Sequence, residues 1–489
     1  MQFPILSVLI FTPLVAALIL LLLPEEKKFW IKGVALAAGV IVLALSIWLY
    51  ASYDIGAGGY QFQERFDWLP ALGISYFVGV DGISLPMVLL SGLVIVSGVL
   101  VSWGVHDRPR EFFSFLLLLA TSVLGVFCSL DLFMLFFFFE LAVFPKYLMI
   151  VIWGSPKTRE YGGMKLTLYL FIGSMLALIG ALAIYFGSGL RTFDMLALEN
   201  AGFAMAFQRL WFPFVFLGFA ILGGIFPFHS WAPDGHVAAP TAISMLLAGV
   251  EMKVGAFAAL RVGIMLLPEG ARQWAWLILI LATINVVYGA FIALIQTDFK
   301  YVIGFSSVSH MGLVLIGFAT LSREGLIGAG MQMFSHGVMT ALFFSIVGMV
   351  YDRAHTRDIP KLGGLVRKMP WAAIGFIVGG LVSMGMPGFS GFVAEFPVFM
   401  GAWRAAPLVA VIAVLGILIT AGYIFLTIRR VFFGDLPESL AGVQDVTVKD
   451  KIVIGGLAAV MIGLGVFPSL MVPMIESGVK TILALLGGA

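Results

Sequence analysis

Apolar runs of about 20 residues recur along the whole chain, and each is long enough to cross the roughly 30 Å hydrocarbon core of a bilayer as a helix. Divided by charged or Gly/Pro punctuation, they number fourteen, beginning near residues 3, 32, 80, 112, 131, 165, 211, 239, 273, 301, 326, 370, 406 and 452. Strands in lipid leave backbone groups unpaired unless they close into a barrel, and these runs are too long and too evenly apolar for barrel strands. The expected fold is therefore an all-α polytopic membrane protein. Composition agrees: only 11% of the 489 residues are charged and 61% are apolar, whereas soluble domains carry about 25% charged residues.

The longest polar stretches, about 52–79, 188–210 and 433–451, are too short to bury a core of their own. The last could form an amphipathic surface helix, and residues 1–489 read as a single membrane domain. The first run lacks a basic start and ends in Pro24-Glu25-Glu26, so it reads as a retained span rather than a cleaved signal. Of the 28 Lys and Arg residues, 18 fall in one set of alternate loops and 8 in the other. By the positive-inside rule both termini should face away from the cytoplasm. A net charge of +2, with no dense basic run, gives no case for nucleic acid. The single cysteine, Cys128, excludes disulfides, cysteine-ligated iron-sulfur clusters and Cys-based zinc sites. With no P-loop or flavin motif either, no cofactor is expected in this chain, and electrons must be handled elsewhere.

A charge deep in a span costs a few kcal/mol, so each one is a functional candidate. Glu140, Lys146, Lys253 and Glu395 stand out. Glu140 follows LFMLFFFF and lies about 13 Å into its span, near the midplane; its bland reading is a carboxylate stapling two helices. Lys253, in LLAGVEMKVGAFAALR, is held well inside, and the alternative for it is a permanent structural ion pair. Glu251 lies two residues away, about 200° around the helix, and cannot be its partner within the helix.

Two spans carry breaks. FAILGGIFPFHSWAPDGHVAAPTA holds Pro227, Pro233, Gly235 and Pro240, and LVSMGMPGFSGFVAEF holds Pro387, Gly388 and Gly391. A single break is equally a simple proline kink; paired interruptions in two halves of a chain, each near a buried ionisable group, point to an inverted repeat around a transport path. His310 in SSVSHMG and His336 in MFSHG fall mid-span, where they could relay protons, ligate metal or merely hydrogen-bond a neighbouring helix. His229 and His236 flank the first break and are candidates to line a water pocket.

The segments PFHSWAPDGHVAAPTA, LLAGVEMK, QTDFKYVIGFSSVSHMG, HTRDIPKLGGL and GMPGFSGFVAEF, in that order, resemble the antiporter-type membrane subunits of respiratory complex I, NADH:quinone oxidoreductase, with HTRDIPKLGGL closest to the subunit 4 type. The superfamily also includes subunits of Mrp-type sodium/proton antiporters and of membrane-bound hydrogenases. The resemblance implies about 14 transmembrane helices with two inverted five-helix repeats and two broken helices. The boundaries it implies here are N-terminal helices over 1–110, a first repeat over 111–262, a second over 273–432, and a C-terminal helix and tail over 433–489. It further implies proton transfer through Glu140, Lys253, His310, His336 and Glu395. One departure matters: the family's seventh-helix lysine is replaced by Leu222. Lys146, six residues after Glu140, is expected to supply that cation by pairing with Glu140; the alternative is a lysine snorkelling to the interface. By the same resemblance, flavin, iron-sulfur clusters and quinone belong to partner subunits, and the neighbours include paralogous antiporter-like subunits. Rival readings are a gradient-driven sodium/proton exchanger and, more weakly, a quinone site within the chain.

Overall fold

The computed structural model describes residues 3–487. Twelve of its helices are long and apolar enough to cross a membrane, so the expected count of fourteen is not reproduced. Of the remaining two expected spans, the one near 370 begins as a 14-residue helix and then breaks. The one near 452 is a 19-residue helix whose first turn carries Lys449, Asp450 and Lys451.

The chain opens with α1 (Ile5–Leu22) and α2 (Lys28–Ser52). The segment 52–79, a polar stretch too short for a core of its own, contains an antiparallel hairpin of β1 (Gln61–Leu69) and β2 (Ile74–Val80), with Phe66 opposite Tyr76. The hairpin has no core of its own; it stands because β2 is buried and the Glu64 carboxylate accepts the free N–H groups of Leu6 and Ser7 at the start of α1. Then come α3 (Ser84–Val101) and α4 (Pro109–Cys128). Next, α5 (Leu132–Leu141) and α6 (Val143–Trp153) form one jointed span, followed by α7 (Arg159–Gly187), the single turn α8 (Met195–Leu198) and α9 (Met205–Leu222).

After a break comes α10 (Trp231–Ala238), then a rod over Thr241–Ile264 made of α11 (Thr241–Leu246), a π turn (Leu247–Glu251), α12 (Met252–Ala258) and a second π turn (Ala259–Ile264). The second half runs through α13 (Pro268–Ile295), α14 (Phe299–Ala319), α15 (Arg323–Ala354) and α16 (Pro370–Ser383). It continues past a second break into α17 (Ser390–Ala405), α18 (Pro407–Val431), α19 (Val448–Val466) and α20 (Val472–Leu485). Asp131 and Asp298 cap α5 and α14 by accepting first-turn N–H groups, and Thr447 with Asp450 forms a capping box on α19. Over 433–451, where the sequence allows an amphipathic surface helix, the chain holds one short turn and then the start of α19. Amphipathic patterning falls instead on α20, whose Met474, Ile475, Val479 and Ile482 are buried.

Burial is inverted relative to a soluble protein. The rod Thr241–Ile264 and α15, which carry Lys253, Glu251 and His336, are enclosed along their full apolar windows. The outer helices α1, α2, α7 and α18 expose Leu18, Ile41, Phe171 and Leu418, side chains that only lipid solvates. The middle of the molecule is therefore where titratable groups sit away from both water and lipid.

Candidate functional site

Both helix breaks are closed by side chains rather than left open. Between α9 and α10, Asn285 of α13 accepts from the Phe226 N–H at 2.5 Å and donates to the Gly224 carbonyl at 2.7 Å. Trp231 donates its indole N–H to the Ile221 carbonyl at 2.8 Å. Between α16 and α17, the Ser383 carbonyl faces His310 Nε2 at 3.1 Å. Gly385 has φ +63°, and the space its missing Cβ leaves is filled by the Glu395 carboxyl group. Irregular backbone at membrane depth needs such partners, and at the second break the partners are themselves titratable groups.

Four of the six expected residues form one continuous line. The Lys253 ammonium donates to the Ala248 carbonyl, inside the π turn, and lies 2.7 Å from His336 Nδ1. The His336 and His310 rings stack with centroids 5.3 Å apart and 15° between their planes. His310 Nε2 stands 3.7 Å from Glu395 Oε1, which Gln332 approaches at 3.4 Å. Lys253, His310, His336 and Glu395 are all at most 3% exposed. His310 faces carbonyl oxygens at both ring nitrogens, Ser306 at 2.8 Å and Ser383 at 3.1 Å. With Nδ1–H donated to Ser306, the Ser383 hydroxyl, 3.4 Å from Nε2, can donate to that nitrogen, so a neutral ring fits the site as well. Glu395 Oε2, at the end of the line, and His336 Nε2, within it, have no partner among the described residues.

Lys146 does not pair with Glu140. Its ammonium forms an ion pair with Glu251, both side chains 1% exposed. The reason is helical: six residues separate Lys146 from Glu140, about 120° around the axis, so Lys146 points inward while Glu140 stays half-buried near the exposed Phe137 and Phe144. One oxygen of Glu140 is buried without a partner among the described residues. Glu251 and Lys253 share the rod but face opposite ways, one toward Lys146 and the other toward His336. Glu251 was passed over as a site residue from sequence because its partner lies 105 positions away; a mid-span acid spaced two residues from a mid-span lysine was the available signal. Gln332 and Asn285, polar groups on otherwise apolar helices, were also missed.

At the terminus-bearing end of the rod, Arg261 forms an ion pair with Asp81 and donates to the Tyr60 hydroxyl at 3.0 Å. Burial pushes Asp81 up, but Arg261 and the N–H groups of Ser84 and Ile83 outweigh it and hold the carboxyl below the usual carboxylate range. Beyond Tyr60, burial pushes Glu199 up to about 6. At the other end, His236 is buried with neither ring nitrogen partnered among the described residues. Nearby, Lys300 donates to the Ala239 carbonyl at 2.6 Å. His229, also buried, lies against Phe226 and Tyr288. Among the described residues no group of three or more His, Cys, Asp and Glu side chains could hold a metal ion.

Two broken membrane helices, with acids, bases and imidazoles threaded between them through an enclosed centre, define a polytopic membrane protein of the ion-translocating, antiporter type. Residues 129–420 match the transmembrane family described as NADH:quinone oxidoreductase/Mrp antiporter, and the chain belongs to that family. It is 37% identical over 480 residues to NAD(P)H-quinone oxidoreductase chain 4 of Gloeobacter violaceus, covering 96% of this chain and 90% of that one. It is also 37% identical over 494 residues to NADH-quinone oxidoreductase subunit M of Rhodobacter capsulatus, covering 97% and 95%. Among solved structures, a chain of respiratory complex I from Thermus thermophilus with bound NADH superposes with a TM-score of 0.91 at 28% identity, covering 99% of this chain and 100% of that one. A chain of the Mrp complex from a Dietzia species has the same fold, with a TM-score of 0.87 at 18% identity and full coverage of both.

Proposed function

We propose that this chain is the proton-translocating, antiporter-like membrane subunit of an NADH:quinone oxidoreductase, driven by electron transfer in partner subunits. The observation that carries the reading is the contact line Lys253–His336–His310–Glu395, which runs from the rod into the second half of the molecule. Each member can hold or pass a proton, and the steps are a hydrogen bond, a ring stack and a 3.7 Å approach that a small side-chain shift closes into a hydrogen bond.

The Lys146–Glu251 pair acts on the other face of the rod. Opposite faces of a helix are about 10 Å apart, so a lone charge at Glu251 is worth about 1.7 kcal/mol at Lys253 with an effective dielectric near 20. When the pair is closed, Lys146 cancels most of that field. Opening and closing the pair thus changes how readily Lys253 takes a proton. Glu140, partly buried beside the exposed Phe137 and Phe144, is the group nearest a neighbouring antiporter-like subunit, from which the opening signal arrives. Moving each proton against 100 mV costs about 2.3 kcal/mol, and this chain contributes charge positions rather than a fuel. Flavin, iron-sulfur clusters and quinone belong to the partners, and the electrons stay there. In this reading the protein sits in the cell's inner membrane with both termini on the non-cytoplasmic side, and its units are the four segments set out from sequence.

The test is the assembled complex in proteoliposomes, with quinone reduction and proton uptake followed together. Lys253→Met and Glu395→Gln should each abolish uptake through this subunit while the complex still assembles; full proton yield in both would end the proposal. The rival reading, a sodium/proton exchanger of the Mrp type, rests on shared fold alone. Co-purification with flavin and iron-sulfur subunits supports the first reading, and with small antiporter subunits alone the second.

A further inference from the structure

At the end of the molecule opposite the termini, α2, the turn after α3, α15 and α19 enclose a cavity of about 760 Å³ lined by Lys32, Trp103, Asp352, Arg353, Lys449 and Asp450. Three ammonium groups gather around one piece of backbone there. Lys32 donates to the Trp103 carbonyl at 2.6 Å, Lys449 sits 4.1 Å over the Trp103 ring, and Lys28, at the rim rather than in the lining, donates at 3.2 Å to the carbonyl of His106, which lines the cavity. Lys28 and Lys449 both stand within Coulombic range of Lys32. Each ammonium carries three donors, so most are unspent. The carboxylates in the lining do not neutralise them: Asp450 is taken by Arg353 at 2.7 Å and by the Thr447 N–H at 2.9 Å, leaving Asp352 against three lysines. Among the described residues none of the three forms an ion pair. Like charges held together in a partly buried cavity are costly unless an anion joins them.

The surroundings say which anion. Lys32 is one turn inside the first residue of α2, at the depth of lipid headgroups. Phe29, Trp30, Val448 and Ile452, beside the cavity on α2 and α19, are 74%, 62%, 74% and 58% exposed. An anion at this place therefore has apolar surface running away from it in the direction acyl chains take. We propose that the cavity binds the phosphate headgroup of an anionic phospholipid, held by Lys28, Lys32 and Lys449 with Trp103 as the floor. A phosphate diester offers acceptors to several ammonium groups at once, and basic pockets between membrane helices on this kind of face suit such headgroups. Bound there, the lipid ties the start of α2 to the start of α19, two helices far apart in sequence.

The proposal is tested on the full chain in nanodiscs of equal phosphatidylglycerol and phosphatidylcholine, counting by native mass spectrometry the lipid retained after detergent extraction. Phosphatidylglycerol should be retained preferentially. Retention should fall at least about tenfold in the triple variant K28Q/K32Q/K449Q, and should persist in K28R/K32R/K449R and in the control K451Q, which lies outside the cavity. Equal retention of the two lipids, or undiminished phosphatidylglycerol in the Gln variant, overturns it. Complete displacement by inorganic phosphate would assign the site to free anions instead and overturns the lipid assignment. A folding defect in the Gln variant shows as loss of bound phosphatidylcholine as well, and the Arg variant then decides: loss of phosphatidylglycerol there overturns the proposal.

Discussion

Removing one member of the Lys146–Glu251 pair and then the other should move proton uptake in opposite directions. Closed, the pair is nearly silent at Lys253: the Glu251 charge at about 10 Å and the Lys146 charge about 3 Å farther differ by only about 0.4 kcal/mol. Lys146→Met removes the ammonium at about 13 Å and leaves the carboxylate alone, a change of about 1.3 kcal/mol at Lys253, shifting the pH of half-maximal uptake up by about 0.9 units. Glu251→Gln removes the carboxylate at about 10 Å, a change of about 1.7 kcal/mol, and shifts it down by about 1.2 units. The double variant K146M/E251Q should return close to the wild-type midpoint while losing the coupling to electron transfer, because nothing remains to open and close. Melting temperatures supply the second axis of the cycle. Each single change strands a buried charge, at about 3–5 kcal/mol, whereas the double change should cost far less. The assay is the pH profile of proton uptake per quinone reduced in proteoliposomes, with thermal melts of the same preparations. Shifts of the same sign in the two single variants, or none in either, would refute the electrostatic reasoning.

Further outcomes follow from other contacts. Glu395→Gln should stop uptake with the fold intact, and Glu395→Asp should restore only part of it, since the shorter acid withdraws from both His310 and the space at Gly385; full rescue by Asp, read as uptake rate, would count against contact distance as the cause. Asn285→Leu strands the Phe226 N–H and the Gly224 carbonyl, each worth about 1–3 kcal/mol, so the melting temperature in detergent should drop even though no titratable group is touched. Glu199 is pushed up to about 6, from an unfolded value of 4.5, so the folded state holds its proton more tightly and stability is greatest below about 4.5 and declines through pH 6. Glu199→Gln should therefore flatten a loss of about 1–2 kcal/mol over that range, visible as a melting temperature that no longer falls between pH 4.5 and 7.

Local pattern made most spans and both breaks readable, because apolar length and Pro/Gly interruption are properties of contiguous residues. It also placed Lys253, His310, His336 and Glu395 as candidates, since any ionisable group at midspan stands out against apolar neighbours. What local pattern does not carry is rotation about the helix axis and the identity of distant partners. Lys146 was assigned to Glu140 on proximity along one helix, yet 120° of rotation sends it to Glu251 on another. The two π turns that shape the rod leave no mark in composition, and the β1–β2 hairpin was hidden because helix ends, not its own core, hold it.

Glu251 and Lys253 are two residues apart on one enclosed rod, yet each is committed to a different neighbourhood. No side chain links them, and the helix backbone between them has its amides already engaged. The rod therefore behaves as a dielectric partition between two compartments: influence crosses it as field, while matter stays on its own side. A subunit so divided can be pushed by an event in its first half without any hydrogen nucleus travelling the full width, and a leak in one compartment need not short-circuit the other.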